Sequence, residues 1–553
     1  MHRSPWRVRP LALSVVFLTF LAACGGDDSP AAQPTTTQST SAESADSTDV
    51  PPGPGPSTDA PVTDPTAPGA IDGVEYDPDA VLRIGWHLNP TSLDPFREPT
   101  EENLALTALA YDRLTNRLPT GEIVPMLAES WGYNDDATEL VMHLRDGVVF
   151  HDGTPFNAEA VRANMDRART IEGSSAASVL ALVESVEVID DLTVRFVSSS
   201  PNAVLTTSLA DRAGSMISPA AFDEDLSLVE SGAGPFELVE HRPGEVTIYE
   251  RFDDYWDPEV AKVARVEVYY MGDQTTRANA LRSGQIDMSH FNPAGLGDVE
   301  GQPGLDIEMR PTSQYYQMSI DWQYEPFGDV RVRQAIMHAL DRDGICQAIL
   351  QGLCETYAQV VPESSIAFNP EIPNDHYAYD PDKARQLLAD AGYADGFEFD
   401  LVILAGLPPY GEMSEVIQAQ LGEVGIRVNL VPLEPALVAE ATITNREFPS
   451  YLAARLSRDP SLAIENYWLP TSPINFSGVT TERLQELYLA SISTSDPDAR
   501  RAILQDAMQE ITDQVLDVVI AFPQYLFVHT DRVLGFQVPD SQAFIIRGVG
   551  IAK

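Results

Sequence analysis

Apolar and polar residues alternate in two different rhythms along this chain. In residues 138–149, Leu140, Met142 and Leu144 recur at every second position, which predicts a strand with one buried face. A turn follows, and Asn157 then precedes a run with helical spacing, where its side chain can cap the helix. Strand and helix rhythms mix in this way along the body of the chain, so we expect an α/β or α+β protein.

Two pairs of short strand-like segments each flank a turn. Residues 186–188 and 192–196 lie on either side of Asp190 and Asp191. Residues 236–240 and 246–250 lie on either side of Pro243 and Gly244. Turn residues between two alternating runs predict β-hairpins at both places.

The second half contains a strand–helix–strand unit. Asp380 and Pro381 predict the start of a helix that ends at Gly392. An alternating strand at residues 397–403, a helix at 412–424 and a second strand at 426–430 follow. This order and spacing predict a parallel sheet.

The longest apolar run lies at the N-terminus. Three arginines precede residues 11–21, which are too short for a membrane-spanning helix. The run ends in LAACG, and this resembles a lipoprotein signal in which Cys24 becomes lipidated. An ordinary signal peptide and an uncleaved anchor are the alternatives. We therefore expect a signal peptide at residues 1–23 and anchoring at the outer face of the cell membrane.

Composition restricts the partners. Residues 24–79 are rich in Ser, Thr, Pro and Asp, which predicts a disordered tether. The chain has 83 Asp and Glu against 35 Lys and Arg, so nucleic acid and anionic membrane surfaces are unfavourable partners. Cys346 and Cys354 are the remaining cysteines, and in an oxidising compartment they are expected to pair, with a free buried pair as the alternative.

Sequence signals for catalysis are missing. The chain has no phosphate-binding GxxxxGK[ST] loop, no HExxH or CxxC metal motif and no GxSxG nucleophile elbow. The histidines are scattered, and the carboxylates are too numerous for any two to be singled out as an acid–base pair. We expect no enzymatic activity, no cofactor and no resident metal. A large exported protein of this kind is more often a binding protein.

A series of motifs, in order, resembles the family 5 extracellular solute-binding proteins, the oligopeptide-, dipeptide- and nickel-binding components of ABC importers. The motif LRDGVVFHDGTPFNAEAV at 144–161 is the most specific. The others are SLDP at 92–95, YDRL at 111–114, PMLAESW at 125–131, GAGPF at 232–236, DDYW at 253–256, ALRSGQID at 280–287, PFGDVRVRQAI at 326–336 and ALDR at 339–342. Together with the block at residues 380–396 they span nearly all of the body.

The resemblance implies an α/β fold of the two-lobed type II periplasmic-binding-protein class, with a hinge and an extra subdomain inserted in the first lobe. We expect lobe I at residues 80–110, 215–322 and 520–553, the inserted subdomain at 111–214, and lobe II at 323–519. A monomer is expected that encloses a small molecule between its lobes and delivers it to an ABC permease and its ATPase subunits. A signalling or chaperone-like lipoprotein and a secreted hydrolase remain the alternatives.

The same resemblance places the pocket in the loop after the first strand, after the GAGPF turn, at the crossing between lobes and in a late loop of lobe II. The residues expected to contact the ligand are Trp86, Asn89, Phe236, Tyr315, Tyr316, Arg455, Arg458, Asp459, Trp468, Asn475 and Phe476. Arginines would hold a carboxylate and aromatic rings would form apolar walls. The alternative is that Trp468 and Phe476 are core residues and the charges are solvated.

The late loop departs from the peptide-binding pattern. Peptide-binding relatives often carry WxxDxxDP there, and the first Asp binds the α-amino group of the peptide. Here Asp459 and Pro460 match the end of the pattern, but Leu456 stands in place of the amine-binding Asp. Arg455 and Arg458 instead suggest a carboxylate-bearing ligand, such as a modified peptide, an opine-like compound or a glycoside; a metal chelate is a further alternative.

Overall fold

The computed structural model describes residues 75–98, 100–118, 121–457, 459–538 and 545–553. The predicted signal peptide, Cys24, Arg458 and most of the predicted tether lie outside these residues. The described residues before residue 80 take part in the fold, because Tyr76 forms a β-bridge with Ala552. Within the described residues, no helix has the length and apolar character required to cross a membrane.

The first part of the chain forms a strand and helix followed by small antiparallel sheets. Its elements are β1 (Val81–Trp86), α1 (Glu101–Thr107), β2 (Thr115–Arg117), β3 (Ile123–Pro125), β4 (Ala128–Tyr133), β5 (Glu139–Leu144), α2 (Ala158–Thr170), β6 (Val183–Asp190), β7 (Thr193–Ser198) and α3 (Leu205–Ser208). Strands β4, β5, β7 and β6 form a four-stranded sheet, and β2 pairs with β3. We call β2–β7 with α2 and α3 the inserted subdomain. The predicted hairpin of β6 and β7 is confirmed, and the side chain of Asn157 caps α2 as predicted, accepting the Ala160 N–H at 3.0 Å.

The middle part contributes further strands to a large sheet. Its elements are β8 (Phe236–Arg242), β9 (Val246–Arg251), β10 (Arg265–Tyr270), α4 (Gln274–Arg282), β11 (Met288–Phe291), α5 (Leu296–Val299), β12 (Leu305–Pro311) and β13 (Gln314–Ile320). The second predicted hairpin is confirmed as β8 and β9.

The last part is richer in helices. Its elements are α6 (Glu325–Gly328), α7 (Val330–Ala339), α8 (Arg342–Ile349), β14 (Cys354–Glu355), α9 (Pro381–Asp390), β15 (Phe397–Leu404), α10 (Tyr410–Glu423), β16 (Ile426–Leu433), α11 (Pro435–Ala439), β17 (Ser450–Leu456), α12 (Pro460–Trp468), α13 (Glu482–Ser493), α14 (Pro497–Gln514), β18 (Val518–Thr530), β19 (Val533–Leu534) and β20 (Gly550–Ile551). Strands β15 and β16 are parallel, as the strand–helix–strand spacing predicts.

One sheet runs through both lobes in the order β16-β15-β17-β13-β18-β11-β1-β10-β9-β8, and β12 and β14 also pair with β18. We call the part with β1 and β8–β12 lobe I and the part with β13 and β15–β17 lobe II. The two lobes have separate apolar cores, one containing Leu82 and Ile84 of β1 and the other containing Leu401 of β15 and Ile336 of α7. The mixed α/β class and the inserted subdomain agree with expectation.

Candidate functional site

The strand directions bring two parallel strand edges together. In lobe I, β1 runs parallel to β10 and β11. Strand β11 is antiparallel to β18, and Phe291 at its carboxyl end lies opposite Leu526. The carboxyl ends of these three strands therefore point towards the middle of β18.

Lobe II has the reverse orientation. Strand β13 is antiparallel to β18, with Tyr316 near its start opposite Ala521. Strand β17 is antiparallel to β13, and Leu456 at its carboxyl end lies opposite Gln314. Strands β15 and β16 run parallel to β17. The carboxyl ends of both parallel sets thus converge on the middle of β18, which is where open α/β sheets bind their ligands.

The chain crosses between the lobes at the same place. Residues 311–314 link β12 to β13, and β18 pairs with strands of both lobes. The Tyr525 hydroxyl donates to the Gln314 side chain at 2.7 Å, and the Ser457 N–H donates to the Ser313 carbonyl at 3.0 Å. These contacts join the crossing to lobe I on one side and to the loop after β17 on the other, so the crossing has the position of a hinge.

The lobe I edge is polar and surrounds a cavity of about 510 Å³. Trp86 is fully buried at the end of β1, where its indole N–H donates to Asn103 at 3.1 Å. His87 and His290 line the cavity with ring centroids 4.3 Å apart. Burial, with a smaller contribution from Arg277, lowers the pKa of His87 to about 4. Burial also lowers the pKa of His290 well below its ordinary value. Both rings are therefore neutral near pH 7 and offer hydrogen bonds without charge.

The lobe II edge is more apolar. The chain leaves β15 through Leu407 and leaves β16 through Leu437, and these side chains are 45% and 51% exposed. Tyr316 is half-buried nearby on β13 and packs edge-on against Tyr410, with ring centroids 5.7 Å apart. Exposed apolar side chains thus follow the carboxyl ends of β15 and β16.

Arg455 was expected to bind the ligand, but the structure assigns it a structural role. Its Nη1 lies 2.5 Å from the Asp517 carboxylate, and its Nη2 donates to Ser319 at 2.9 Å. The guanidinium also packs on the Tyr467 ring at 4.5 Å. Burial lowers the pKa of Arg455, but Asp517, Tyr451 and Tyr315 together outweigh burial and raise it above its ordinary value. The carboxylate that Arg455 neutralises is therefore part of the protein.

Tyr315 belongs to the same buried group, because its hydroxyl donates to Asp517 at 3.1 Å. Burial raises the pKa of the Asp517 carboxyl, and the neighbouring Arg455 offsets part of that increase. Arg455 and Asp517 thus form a buried ion pair whose charges cancel, and Tyr315 is hydrogen-bonded to it.

A larger cavity, of about 730 Å³, lies between the inserted subdomain and lobe II. On the subdomain side it is lined by Arg117, Trp131 and Tyr133, and on the lobe II side by the start of α14 with Arg500 and Arg501. Ser313 of the crossing and Asp459 also border it. We call this space the subdomain cavity. None of its arginines or aromatic residues was among the expected ligand contacts.

The subdomain touches lobe II beside this cavity. The Ala203 N–H donates to the Ile492 carbonyl at 2.7 Å. Val204 is 6% exposed and packs in a lobe II cluster that includes Leu487 and Ile492. This contact closes one side of the cavity.

Several other expected contacts lie inside the lobes. Phe236 packs in the lobe I core, and Trp468 packs in a lobe II cluster with Tyr315. Phe476 packs edge-on against Tyr451 with ring centroids 4.9 Å apart. Asn475 is 2% exposed, and its side chain closes its own turn by accepting the Gly478 N–H at 3.0 Å. These positions favour packing and not ligand contact, so the ligand role expected for these four residues is not supported.

Two other expected contacts, Asn89 and Asp459, have side chains that already bind other parts of the protein. Asn89 is exposed after β1 and accepts the Gly244 N–H at 2.8 Å. Asp459 caps α12 by accepting the Leu462 N–H at 3.0 Å, and its second oxygen lies 3.4 Å from Arg500. Asp459 therefore positions both a helix and an arginine of the subdomain cavity.

Cys346 and Cys354 are joined by a disulfide, with Cα atoms 5.9 Å apart. The bond connects α8 to β14, which pairs with β18 at Phe522 and Pro523. Leu353 within the closed loop packs against a lobe I cluster, although α8 belongs to lobe II. Among the described parts of the chain, no group of three or more His, Cys, Asp or Glu is arranged to hold a metal ion.

Comparison with known proteins agrees with this architecture. The family profile described as bacterial extracellular solute-binding proteins, family 5 Middle, matches residues 122–474. The glutathione-binding protein GsiB of Pectobacterium atrosepticum is 25% identical over 484 residues, which cover 84% of this chain and 92% of that protein. The dipeptide-binding protein of Escherichia coli is 29% identical over 356 residues, covering 59% of this chain and 66% of that protein.

Solved structures show the same fold. HbpA2 from Haemophilus parasuis superposes with a TM-score of 0.77 at 23% identity, covering 86% of this chain and all of that one. DppA from Helicobacter pylori, in complex with the peptide STSA, has a TM-score of 0.70 at 26% identity, covering 86% of this chain and 98% of that one. The family match spans more than half of the sequence, and the relatives are aligned over most of their length. The chain therefore belongs to the family 5 bacterial extracellular solute-binding proteins, the substrate-binding components of ABC importers.

Proposed function

We propose that this protein captures a peptide-like or other carboxylate-bearing small molecule between its two lobes and delivers it to an ABC permease with its ATPase subunits. The observation that carries the proposal is the convergence of both carboxyl strand edges on the shared strand β18. A solute held between these edges contacts both lobes at once. Its binding free energy then favours the closed arrangement, which is the form a permease can distinguish from the empty one.

The ligand class follows from the chemistry of the two edges and from the relatives. The lobe I edge offers neutral hydrogen-bonding groups, and the lobe II edge offers apolar surface. Relatives are named for glutathione, dipeptides and heme, and one solved relative holds Fe(III)-EDTA. Leu456 supplies no carboxylate for a peptide amine, so a ligand recognised by its acid end fits better than one recognised by a free N-terminus.

Several properties outside the site belong to the same proposal. Lipidation at Cys24 would hold the protein at the extracytoplasmic face of the membrane. Residues 24–79 would act as a tether between the lipid anchor and the folded body. We expect a monomer without catalytic activity. The lobe boundaries are those given from the sequence, except that β13 packs in the core of lobe II. No described side-chain constellation suggests a nucleophile, which makes a secreted hydrolase the weaker alternative. A signalling or chaperone-like lipoprotein would share the capture step but not the transporter.

The test is native mass spectrometry of the full chain, purified in mild detergent without denaturant. A bound mass that is released by denaturation, and that rebinds to stripped protein with 1:1 stoichiometry, is the expected result. Conversion of that mass to a product during incubation would favour a hydrolase. Failure to find any bound or rebinding solute, both here and in a thermal-shift screen of peptides and organic acids, would argue against capture altogether.

A further inference from the structure

The subdomain cavity contains an arginine with unused hydrogen-bonding capacity. Arg500 lies in the second turn of α14, and its side chain is 12% exposed. Its Nη2 donates to Ser461 at 3.0 Å and lies 3.4 Å from Asp459. Its Nε is buried and meets no hydrogen-bond acceptor among the described residues. The Nη1 of Arg500 donates to no described residue and is not among the buried polar atoms, so this nitrogen can bind an acceptor that enters the cavity.

The acids around Arg500 do not provide that acceptor. One oxygen of Asp459 accepts the Leu462 N–H and the other faces the Nη2 of Arg500, not its Nε. Asp496 caps α14 by accepting the Ala499 N–H at 2.8 Å. Both carboxylates are therefore occupied at helix starts, and the accessible Nη1 of Arg500 remains available to a solute.

The surroundings indicate what kind of group fits there. The cavity wall carries three arginines and also Glu122, Asp459 and Asp496. A guanidinium binds carboxylate and phosphate oxygens alike. The three arginines and three acids balance in charge, so the wall has no excess positive charge to favour a doubly charged phosphate over a singly charged carboxylate. The faces of Trp131 and Tyr133 add apolar contact beside the charge.

We propose that one end of the captured solute enters the subdomain cavity and that Arg500 binds a carboxylate at this end. Arg500 would thereby determine which solutes are captured. This inference rests on the proposed capture function and deepens it. The sequence favoured Arg455 and Arg458 for this role. Arg455 is saturated by Asp517, whereas Arg500 borders an open cavity and keeps a free donor. The solute class is then monocarboxylate-ended molecules with an apolar or planar group next to the acid.

The experiment is a cycle with two changes, one in the protein and one in the solute. The solute eluted from the wild-type full chain is divided, and half is converted to its methyl ester with acidic methanol. Acid and ester are then titrated calorimetrically into stripped wild-type protein and into Arg500→Gln. Trialanine and trialanine amide serve as a second acid and neutral pair. For the wild type we expect esterification to weaken binding by roughly ten- to a hundred-fold, the usual range for losing a hydrogen bond to a charged group.

In Arg500→Gln the acid should bind about as weakly as the ester does to the wild type, and esterification should have little further effect, because the two changes remove the same interaction. Arg500→Lys keeps the charge and should recover part of the preference for the acid. Arg427→Gln is the matched control. Arg427 lies on β16, is 69% exposed and pairs with Glu398 of β15. Melting curves of each variant separate misfolding from loss of specificity.

Other outcomes overturn the inference in distinguishable ways. Equal loss on esterification in the wild type and in Arg500→Gln would mean that the carboxylate is read elsewhere, with capture intact. An eluted solute that takes up no methyl group would mean that the class is wrong. If no solute elutes and neither trialanine form binds, capture and the role of Arg500 both fail.

Discussion

The contact of Val204 with lobe II offers a quantitative test of closure. Val204 belongs to the inserted subdomain, but 94% of its surface is covered, in part by lobe II residues. Truncation to Ala removes two methyl groups from this contact. At about 0.8 kcal/mol for each buried carbon, the closed arrangement loses about 1.6 kcal/mol. In the proposed closure the inserted subdomain moves with lobe I, so we expect this energy to be lost from the closed state alone.

The expected result is a change in affinity with little change in the association rate. A loss of about 1.6 kcal/mol corresponds to roughly 15-fold weaker binding. Encounter with the open form does not involve Val204, so the effect should appear in the dissociation rate. The assay is calorimetric titration of the eluted solute into stripped Val204→Ala, together with the rate at which loaded protein loses the solute on dilution.

Val239→Ala is the matched control. Val239 lies on β8 and is 51% exposed, so its truncation removes the same two methyl groups at a position open to solvent. It should leave both affinity and dissociation unchanged. An unchanged affinity for Val204→Ala with a lowered free energy of unfolding would refute the reasoning, since Val204 would then contribute to folding and not to closure.

Three further predictions concern stability. Replacing Arg455 by Gln leaves the Asp517 carboxylate buried and unpaired, so chemical denaturation should show a loss of about 3–5 kcal/mol, partly recovered by removing both charges. Reducing the Cys346–Cys354 bond opens a nine-residue loop and should lower the free energy of unfolding by about 2.5 kcal/mol; a Ser–Ser variant should not respond to reductant. The lowered pKa of His87 means that the unfolded chain binds the proton more readily. As the pH is lowered from about 6.5 to 4, the free energy of unfolding should therefore fall by up to about 1.4 kcal/mol per pH unit. His87→Gln should make that dependence on pH less steep.

Local features of the fold were predictable from the sequence because they depend on neighbours along the chain. The cap at Asn157 and both hairpins follow from turn residues between neighbouring segments. The parallel pair of β15 and β16 follows from the periodicity of one strand–helix–strand unit. The family resemblance supplied the arrangement of the lobes. It also directed attention to the loop after β1 and to the late loop of lobe II.

The site was harder to predict because its charges are paired across long separations. Nothing near Arg455 in the sequence indicates that Asp517, in another part of lobe II, neutralises it. Arg500 is the reverse case, because the sequence gives no sign that it borders a cavity. It is one of two adjacent arginines on a polar helix, which is typical of a solvated face. The one available signal was the Ser-Asp-Pro start of α14 at residues 495–497, which places the following turn at a helix end. Phe236, in the GAGPF motif, and Phe476, in the late loop, show the same limit, since an aromatic residue at such a position can pack in the core or contact the ligand.

Strand β18 has a consequence for how the molecule comes apart. A single strand completes the backbone hydrogen bonding of β13 in lobe II and of β11 and β12 in lobe I. Detaching it from either side leaves a row of buried amide and carbonyl groups unsatisfied on the other. The two lobes therefore have no independent route to melting, and calorimetry should record one cooperative transition whose calorimetric and van't Hoff enthalpies agree. The strand shared by both lobes thus makes them a single thermodynamic unit.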